Sequence, residues 1–219
     1  MELQALQQTW SRYEEKLEQV LRINHQQAAD IAQLKSHSLL GSMRPIKLFT
    51  LVAGVVWVLL LNALLIAGFS TFHPFFLVSM GIQSLLTTIA IFVYLYQLVL
   101  LQRMDLTQPI VSVQAKIARL QTSTLWVTRI LFLQLPVWTT FYLNDAMIAQ
   151  GSTGLWIFQI GITFLFLVAA LWLFVNIRIE NKEKRWFRLL FQGKEWTPLM
   201  QAMSLLEEVD SLTREAQKS

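Results

Sequence analysis

Hydrophobic residues are concentrated in two long runs that contain no charged side chain. No Lys, Arg, Asp or Glu occurs between Lys47 and Arg103, or between Asp145 and Arg178. A helix needs about 20 predominantly apolar residues to cross a bilayer, so the first run is long enough for two crossings and the second for one. The pattern predicts an all-α, polytopic membrane protein.

The first run divides at the short turn Phe72-His73-Pro74. Proline disfavours helix at the residue before it and can itself begin a helix, so this turn separates two spans. We expect a transmembrane hairpin over residues 45–101, with spans at about 48–69 and about 75–101. The second run predicts another clear span at about 155–177.

A third span is predicted at about 124–144, although it carries Arg129, Gln134 and Pro136. The clear span that follows must be entered from the opposite side of the membrane, which requires a crossing before it. Pro136 removes a backbone donor and indicates a local kink. We therefore expect four transmembrane helices, the last two forming a second hairpin over residues 124–177.

Lys and Arg lie on one side of these spans. Six precede the first span, three lie between the second and third, eight follow the fourth, and the other two loops contain none. Arg129 lies near the cytoplasmic end of the third span, where its guanidinium can reach headgroups. The asymmetry predicts a multi-pass protein of the cell inner membrane with both termini cytoplasmic. No cleavable signal is apparent, so the first span is expected to direct its own insertion.

Residues 1–44 form a polar arm with apolar and large side chains spaced alternately by three and four. These positions are Leu3, Leu6, Trp10, Tyr13, Leu17, Val20, Asn24, Gln27, Ile31 and Leu34. The spacing is that of a heptad seam, in which Asn24 shares position a with Leu3 and can fix register and partner number. Leu21 and Ile23 widen the apolar face, which favours a bundle over a two-stranded coil.

The arm is the predicted site of protein contact, with its dense half at Leu3, Leu6, Trp10, Tyr13 and Leu17. Three partners stay open: the C-terminal helix of the same chain, a second copy, or a cytoplasmic regulatory protein. The C-terminal helix is predicted from Leu199, Met203, Leu206 and Val209, which share one side.

Two other cytoplasmic segments connect these parts. Residues 102–123 are expected to form a linker helix between the two hairpins. Residues 178–219 begin with basic and aromatic side chains in alternation, at Lys184, Arg185, Trp186 and Arg188. Such a pattern is typical of a helix at the membrane interface, so the anionic headgroups of the bilayer are an expected partner.

The amino-acid composition limits the kinds of catalytic and metal site that this chain is expected to contain. Only 15% of the residues are charged, against about 25% in an average soluble domain. Cysteine is absent, and the three histidines show no metal-ligand spacing. Asp145 is the one carboxylate on the predicted outer side and is interpreted as an exposed residue at a helix end. We expect no cofactor, no metal and no catalysis, and we attribute the positive net charge to membrane orientation rather than to nucleic-acid binding.

Uncharged polar side chains within the spans form a second candidate site. Asn62 and Gln83 are predicted at similar depth in the outer half of the first hairpin, and Gln159 and Gln134 could join them. An unsatisfied amide in hydrocarbon costs several kcal/mol, so these residues are expected to bond between helices. A small polar pocket or ion path is the alternative.

The arm pattern of Leu6, Trp10, Tyr13, Lys16-Leu17 and Asn24, followed by four spans with Gln134-Leu-Pro136-x-Trp138 in the third, resembles a family. It is similar over essentially the whole chain to small four-span membrane proteins of Bacteroidota. That family has no assigned activity, so the resemblance implies an architecture and no site residues.

These observations favour a non-enzymatic membrane protein that acts in assembly, as a scaffold or as a regulator through its cytoplasmic helices. A small transporter or channel component using the polar layer is the first alternative. A membrane enzyme acting on lipid is the second.

Overall fold

The computed structural model describes the backbone of residues 2–104, 110–193 and 195–216, and their side chains except at 2–9, 11, 25, 110 and 212–216. The described chain is all-helical and contains no strand. Its α-helices are α1 (Glu2–Gly41), α2 (Met43–Ala67), α3 (Pro74–Gln102), α4 (Ile110–Phe132), α5 (Asp145–Gln150), α6 (Thr153–Asn176), α7 (Arg185–Leu190) and α8 (Thr197–Ala216).

Three helices among the described residues are long and apolar enough to cross a membrane. They are the continuous helical run ending at Ala67, which contains α2, together with α3 and α6. Their outer surfaces expose large apolar side chains such as Leu59, Phe92 and Ile157. An apolar exterior of this kind fits lipid as the surrounding solvent, and the prediction of a helical membrane protein is confirmed at this level.

The segment expected to form the third span is not one helix. α4 ends at Phe132, and the chain continues through tight turns into a 3-10 helix at Pro136–Thr139. Pro136 has no backbone N–H to donate, so the helix cannot continue through it unbroken. The carbonyl of Gln134 accepts instead from the backbone N–H groups of Val137 and Trp138, at 3.0 and 3.3 Å. The predicted kink is therefore a full break.

This broken segment nevertheless lies alongside α3 over most of its length. Side-chain hydrogen bonds join Gln97 to Ser123 at 3.1 Å, Thr87 to Gln134 at 3.2 Å and Ser79 to Thr140 at 3.1 Å. Residue numbers decrease along α3 while they increase along the broken segment, so the two run antiparallel. At 1.5 Å rise per residue, the part of α3 between Ser79 and Gln97 is about 27 Å long.

α1 continues into α2 with almost no interruption, because Ser42 between them keeps α-helical backbone angles. The last turns of α1 pack against α8, and the hydroxyl of Ser36 donates to the carbonyl of Ala202 at 3.3 Å. α4 packs against α8 as well, with the Gln114 amide donating to the carbonyl of Leu206 at 3.1 Å.

The buried core lies at this end of the molecule, in what we call the terminal bundle. The bundle joins the end of α1, the first half of α4, α7 and α8 to the ends of α3 and α6. Its most buried side chains are Leu40, Met43, Leu101, Ile117, Leu120, Ile177, Phe187, Leu199 and Leu206. The first half of α4 therefore packs together with α7 and α8 at one end of the spans.

Candidate functional site

The seam predicted on the arm is solvent-exposed in the structure. Trp10, Tyr13 and Leu17 are 65%, 70% and 61% exposed, and further along the helix Val20, Ile31 and Leu34 are exposed as well. Asn24 is exposed beside them. Leu3 and Leu6 lie outside the described side chains. From Trp10 to Leu34, α1 thus presents an apolar face that nothing else in the described chain covers.

The face of α1 that packs against α8 is a different one. Its buried residues are Ala32, Ser36 and Leu40, which we call the packed face. With Leu3 at heptad position a, these three occupy positions b, f and c, whereas the seam occupies a and d. At 3.6 residues per turn the two faces point roughly 130° apart.

The predicted apolar side of the C-terminal helix is covered, by the packed face of α1 and by α4. Leu199, Leu206 and Val209 are buried, together with Ala202, and Met203 is partly buried. Small residues at the contact explain the choice of face, because Ala32, Ser36 and Ala202 let the two backbones approach closely. Pairing of the two terminal helices therefore leaves the seam uncovered.

A second site, which the sequence did not predict, surrounds Lys47. Its ammonium group is fully buried, donates to the Gln97 side-chain carbonyl at 2.6 Å and lies 3.6 Å from a carboxylate oxygen of Glu195. It also sits 4.8 Å from the centre of the Tyr94 ring, in cation–π range. The Tyr94 hydroxyl donates to Glu195 at 3.1 Å.

This Lys47 cluster ties the segment before α8 to the spans. Glu195 comes from the connection between α7 and α8, whereas Lys47, Tyr94 and Gln97 come from α2 and α3. Gln97 extends the cluster to α4 through Ser123. A buried ammonium is costly unless it is paired and hydrogen-bonded, so the cluster fixes where the C-terminal helix begins relative to the membrane segment.

The predicted polar residues of the spans fall into separate contacts. Asn62 donates to the Ser84 hydroxyl at 2.9 Å and so joins α2 to α3, and Gln134 joins the broken segment to α3 through Thr87. Gln83 is buried one residue from Ser84, but its side-chain carbonyl has no partner among the described residues.

Gln159 forms the densest of these contacts. Its amide donates to the Thr139 carbonyl at 2.5 Å and to the Thr163 hydroxyl at 3.2 Å, and its carbonyl accepts from the Tyr142 hydroxyl at 2.6 Å. Every polar atom of this buried side chain is therefore engaged with its neighbours. The arrangement joins α6 to the broken segment and leaves no polar atom of Gln159 to line a conduit.

Of the predicted interfacial residues, the basic ones are exposed and the tryptophan packs against protein. Lys184, Arg185 and Arg188 are exposed, while Trp186 packs on Trp172 of α6 with ring centres 5.0 Å apart. α7 covers only Arg185–Leu190, because Phe187 within it and Phe191 just after it turn into the terminal bundle, where their rings stack with centres 4.4 Å apart.

The Arg129 side chain contacts other parts of the protein instead of extending toward lipid headgroups. Its guanidinium donates to the carbonyl of Ile177 at 2.5 Å and lies 5.5 Å from the centre of the Trp126 ring. It therefore joins α4 to the end of α6.

At the opposite end of the spans, His73 caps α3 and contacts Asp145. The ring nitrogen Nδ1 accepts from the backbone N–H of Phe75 at 3.3 Å, and Nε2 lies 3.0 Å from the Asp145 carboxylate. Asp145 is almost fully exposed, and Asn144 caps the short helix α5 that it begins. The pair joins the start of α3 to the start of α5.

No group of His, Asp and Glu that could hold a metal ion occurs among the described residues. The chain matches no protein-family model, no curated protein and no solved structure. Function therefore has to be argued from the seam, the Lys47 cluster and the contacts between the spans.

Proposed function

We propose that this chain is a non-catalytic assembly protein of the bacterial inner membrane that self-associates through the seam of its N-terminal arm. The single observation that supports this most is the exposure of Trp10, Tyr13 and Leu17 on a helix whose other face is already packed. Soluble surfaces rarely carry a contiguous apolar patch of this size unless it binds a protein or a membrane.

A second copy fits the seam better than an unrelated regulator. α1 runs directly into α2, so the arms of two copies in one membrane must emerge in parallel. Parallel association places position g of one arm near position e of the next heptad in its partner, which pairs Asp30 with Lys35. Both side chains are exposed in the single chain. Asn24 at position a would set the register, and the contact with α8 need not be released.

Four membrane crossings and cytoplasmic termini belong to the same proposal. α1 and α8 contact each other through Ser36 and Ala202, so they lie on the same side and the number of crossings between them must be even. Three apolar helices account for three crossings, and the broken segment beside α3 is long enough for the fourth, because about 27 Å approaches the roughly 30 Å of hydrocarbon. The distribution of Lys and Arg then supports cytoplasmic termini.

Single cysteines test this topology cleanly, because the chain has none of its own. Cysteine at Ser70 or Ser152 should react with an impermeant maleimide in cells whose outer membrane is permeabilised, whereas cysteine at Ser38 or Ser211 should not. All four positions are exposed, so access depends on the side of the membrane alone. Labelling at Ser38 without labelling at Ser152 would invert the proposed orientation.

Self-association is tested by the mass of the detergent-solubilised protein. Trp10→Ala with Leu17→Ala should raise the dissociation constant of the oligomer by about 30-fold or more, the effect of losing about 2 kcal/mol at an interface hot spot. Glu15→Ala with Arg22→Ala is the matched control, because both positions are exposed, lie off the seam and leave the net charge unchanged. An unchanged mass together with loss of a co-purifying protein would favour a regulator over a second copy.

The transport alternative is supported less well, because Asn62, Gln134 and Gln159 bond to neighbouring helices. Proteoliposomes containing the wild-type chain should show no selective ion leak. A leak that Asn62→Leu abolishes would replace the assembly proposal with a conduit.

A further inference from the structure

A groove of about 710 Å³ opens between α3 and α4 on the surface of the molecule. Its inner end is lined by Ile89, Phe92 and Val93 of α3 and by Trp126 of α4. Among the described residues, no carboxylate lines it. The surface is therefore apolar where it faces the hydrocarbon.

The other end of the groove is polar and basic. It is lined by Tyr96 and by Arg119, which form no hydrogen bond or ion pair with any described residue. Lys116, one turn before Arg119, donates to the Arg103 carbonyl at 2.9 Å. The guanidinium of Arg119 is thus the nearest cation open to a ligand in the groove.

The contact between Gln97 and Ser123 sets the depth of both ends. Arg119 lies four residues from Ser123 toward the start of α4, which is about 6 Å along the helix, away from the membrane interior. Ile89 lies eight residues from Gln97 toward the membrane interior, which is about 12 Å. The groove therefore covers about 18 Å, close to the roughly 15 Å of hydrocarbon in one leaflet.

From this arrangement we infer that the groove binds an anionic phospholipid of the leaflet on the arm side. One acyl chain lies along Ile89, Phe92 and Val93, and the phosphate accepts from the Arg119 guanidinium, which can donate in a bidentate fashion. Tyr96, at the polar end, lies at the depth where aromatic residues pack beside headgroups. This site is separate from the seam, since no described residue of α1 lines it.

Native mass spectrometry of the detergent-solubilised chain tests the site, with phosphatidylglycerol and phosphatidylcholine of identical acyl chains titrated separately. Wild type should bind phosphatidylglycerol about fivefold more tightly, because its headgroup keeps a net negative charge that choline cancels in phosphatidylcholine, and one basic side chain beside an anionic headgroup has an effect of this size. Arg119→Gln should remove the preference and retain binding of both lipids. Ala118→Phe, which fills the groove from α4, should weaken both.

Arg188→Gln is the matched control, because Arg188 is equally an exposed arginine but lies outside the groove. If this control abolishes the preference as fully as Arg119→Gln, the attraction is general surface charge and the site is rejected. A preference that persists in Arg119→Gln also rejects it.

A measurement on the wild-type chain avoids reliance on the folding of variants. Phosphatidylglycerol with a photoreactive acyl chain should crosslink mainly to peptides of α3 and α4 that contain Phe92, Val93 or Trp126. Crosslinks spread evenly over α2, α3 and α6 would contradict a defined site.

Discussion

Two faces of α1 carry apolar side chains, yet only one of them packs against another part of the described chain. The packed face, with Ala32, Ser36 and Leu40, lies against α8, whereas the seam, with Trp10, Tyr13 and Leu17, is exposed. The face with the larger apolar side chains is thus the one left open. Small residues suit a close intramolecular contact, while a heptad of large residues suits another helix of the same kind.

The largest expected effect on the free energy of unfolding comes from truncating a buried side chain of the packed face. Leu40→Ala should lower the free energy of unfolding by about 2–5 kcal/mol, as is usual for a buried leucine, because Leu40 is only 3% exposed. Leu17→Ala should change it by less than about 0.5 kcal/mol in dilute detergent, where the arms are separate. Denaturant unfolding followed by circular dichroism compares the two. Equal losses would mean that the seam has an intramolecular partner.

The next effect concerns the anchoring of α8, on which the packed face depends. Glu195→Ala removes the carboxylate beside the buried Lys47 and should cost about 1–3 kcal/mol. Lys47→Met should cost less, because the Glu195 side chain is 26% exposed and keeps the Tyr94 hydroxyl as a donor. Hydrogen exchange in α8 should rise more in Glu195→Ala. The reverse order would show that the cluster does not hold α8 in place.

Asn24→Leu tests whether the amide in the seam sets the register of association. Replacing the amide at position a should tighten association and broaden the number of copies, since a buried Asn fixes register at a cost in stability. Mass photometry of the solubilised protein would show several oligomers in place of one. A single unchanged mass would remove Asn24 from the interface.

The smallest effects are expected within the spans. Asn62→Leu loses its bond to Ser84 and should cost about 0.6 kcal/mol, the average for such contacts. Gln83→Met should be neutral or slightly stabilising, because the Gln83 carbonyl has no partner among the described residues. Thermal unfolding of the two variants in one detergent would separate them. A larger loss for Gln83→Met would indicate an additional polar partner.

The apolar spans could be predicted from sequence because hydrocarbon thickness fixes the length of each run. α3 and α6 begin and end within a few residues of the predicted limits. α2 begins earlier than predicted, at Met43, because a helix continues through Lys47 when that charge has buried partners. Hydropathy marks where lipid begins and does not mark where a helix begins.

The Lys47 cluster could not be predicted, because Lys47 and Glu195 are far apart in sequence and no local spacing joins them. A lysine at the end of an apolar run ordinarily marks a membrane boundary, and the sequence alone predicts no more than that for Lys47. Likewise the heptad pattern identified the seam, but it could not show that α8 would choose the smaller residues of Ala32 and Ser36.

Disulfide crosslinking in native membranes tests whether the seam joins copies of this chain in parallel. Single cysteines at Tyr13, Leu17, Val20 and Asn24 occupy seam positions, while cysteines at Glu15 and Arg22 point away. Mild oxidation should produce covalent dimers strongly at the four seam positions and weakly at the other two, because parallel helices bring identical a and d positions together. Crosslinking that is absent, or equally efficient at all six positions, would contradict self-association through the seam.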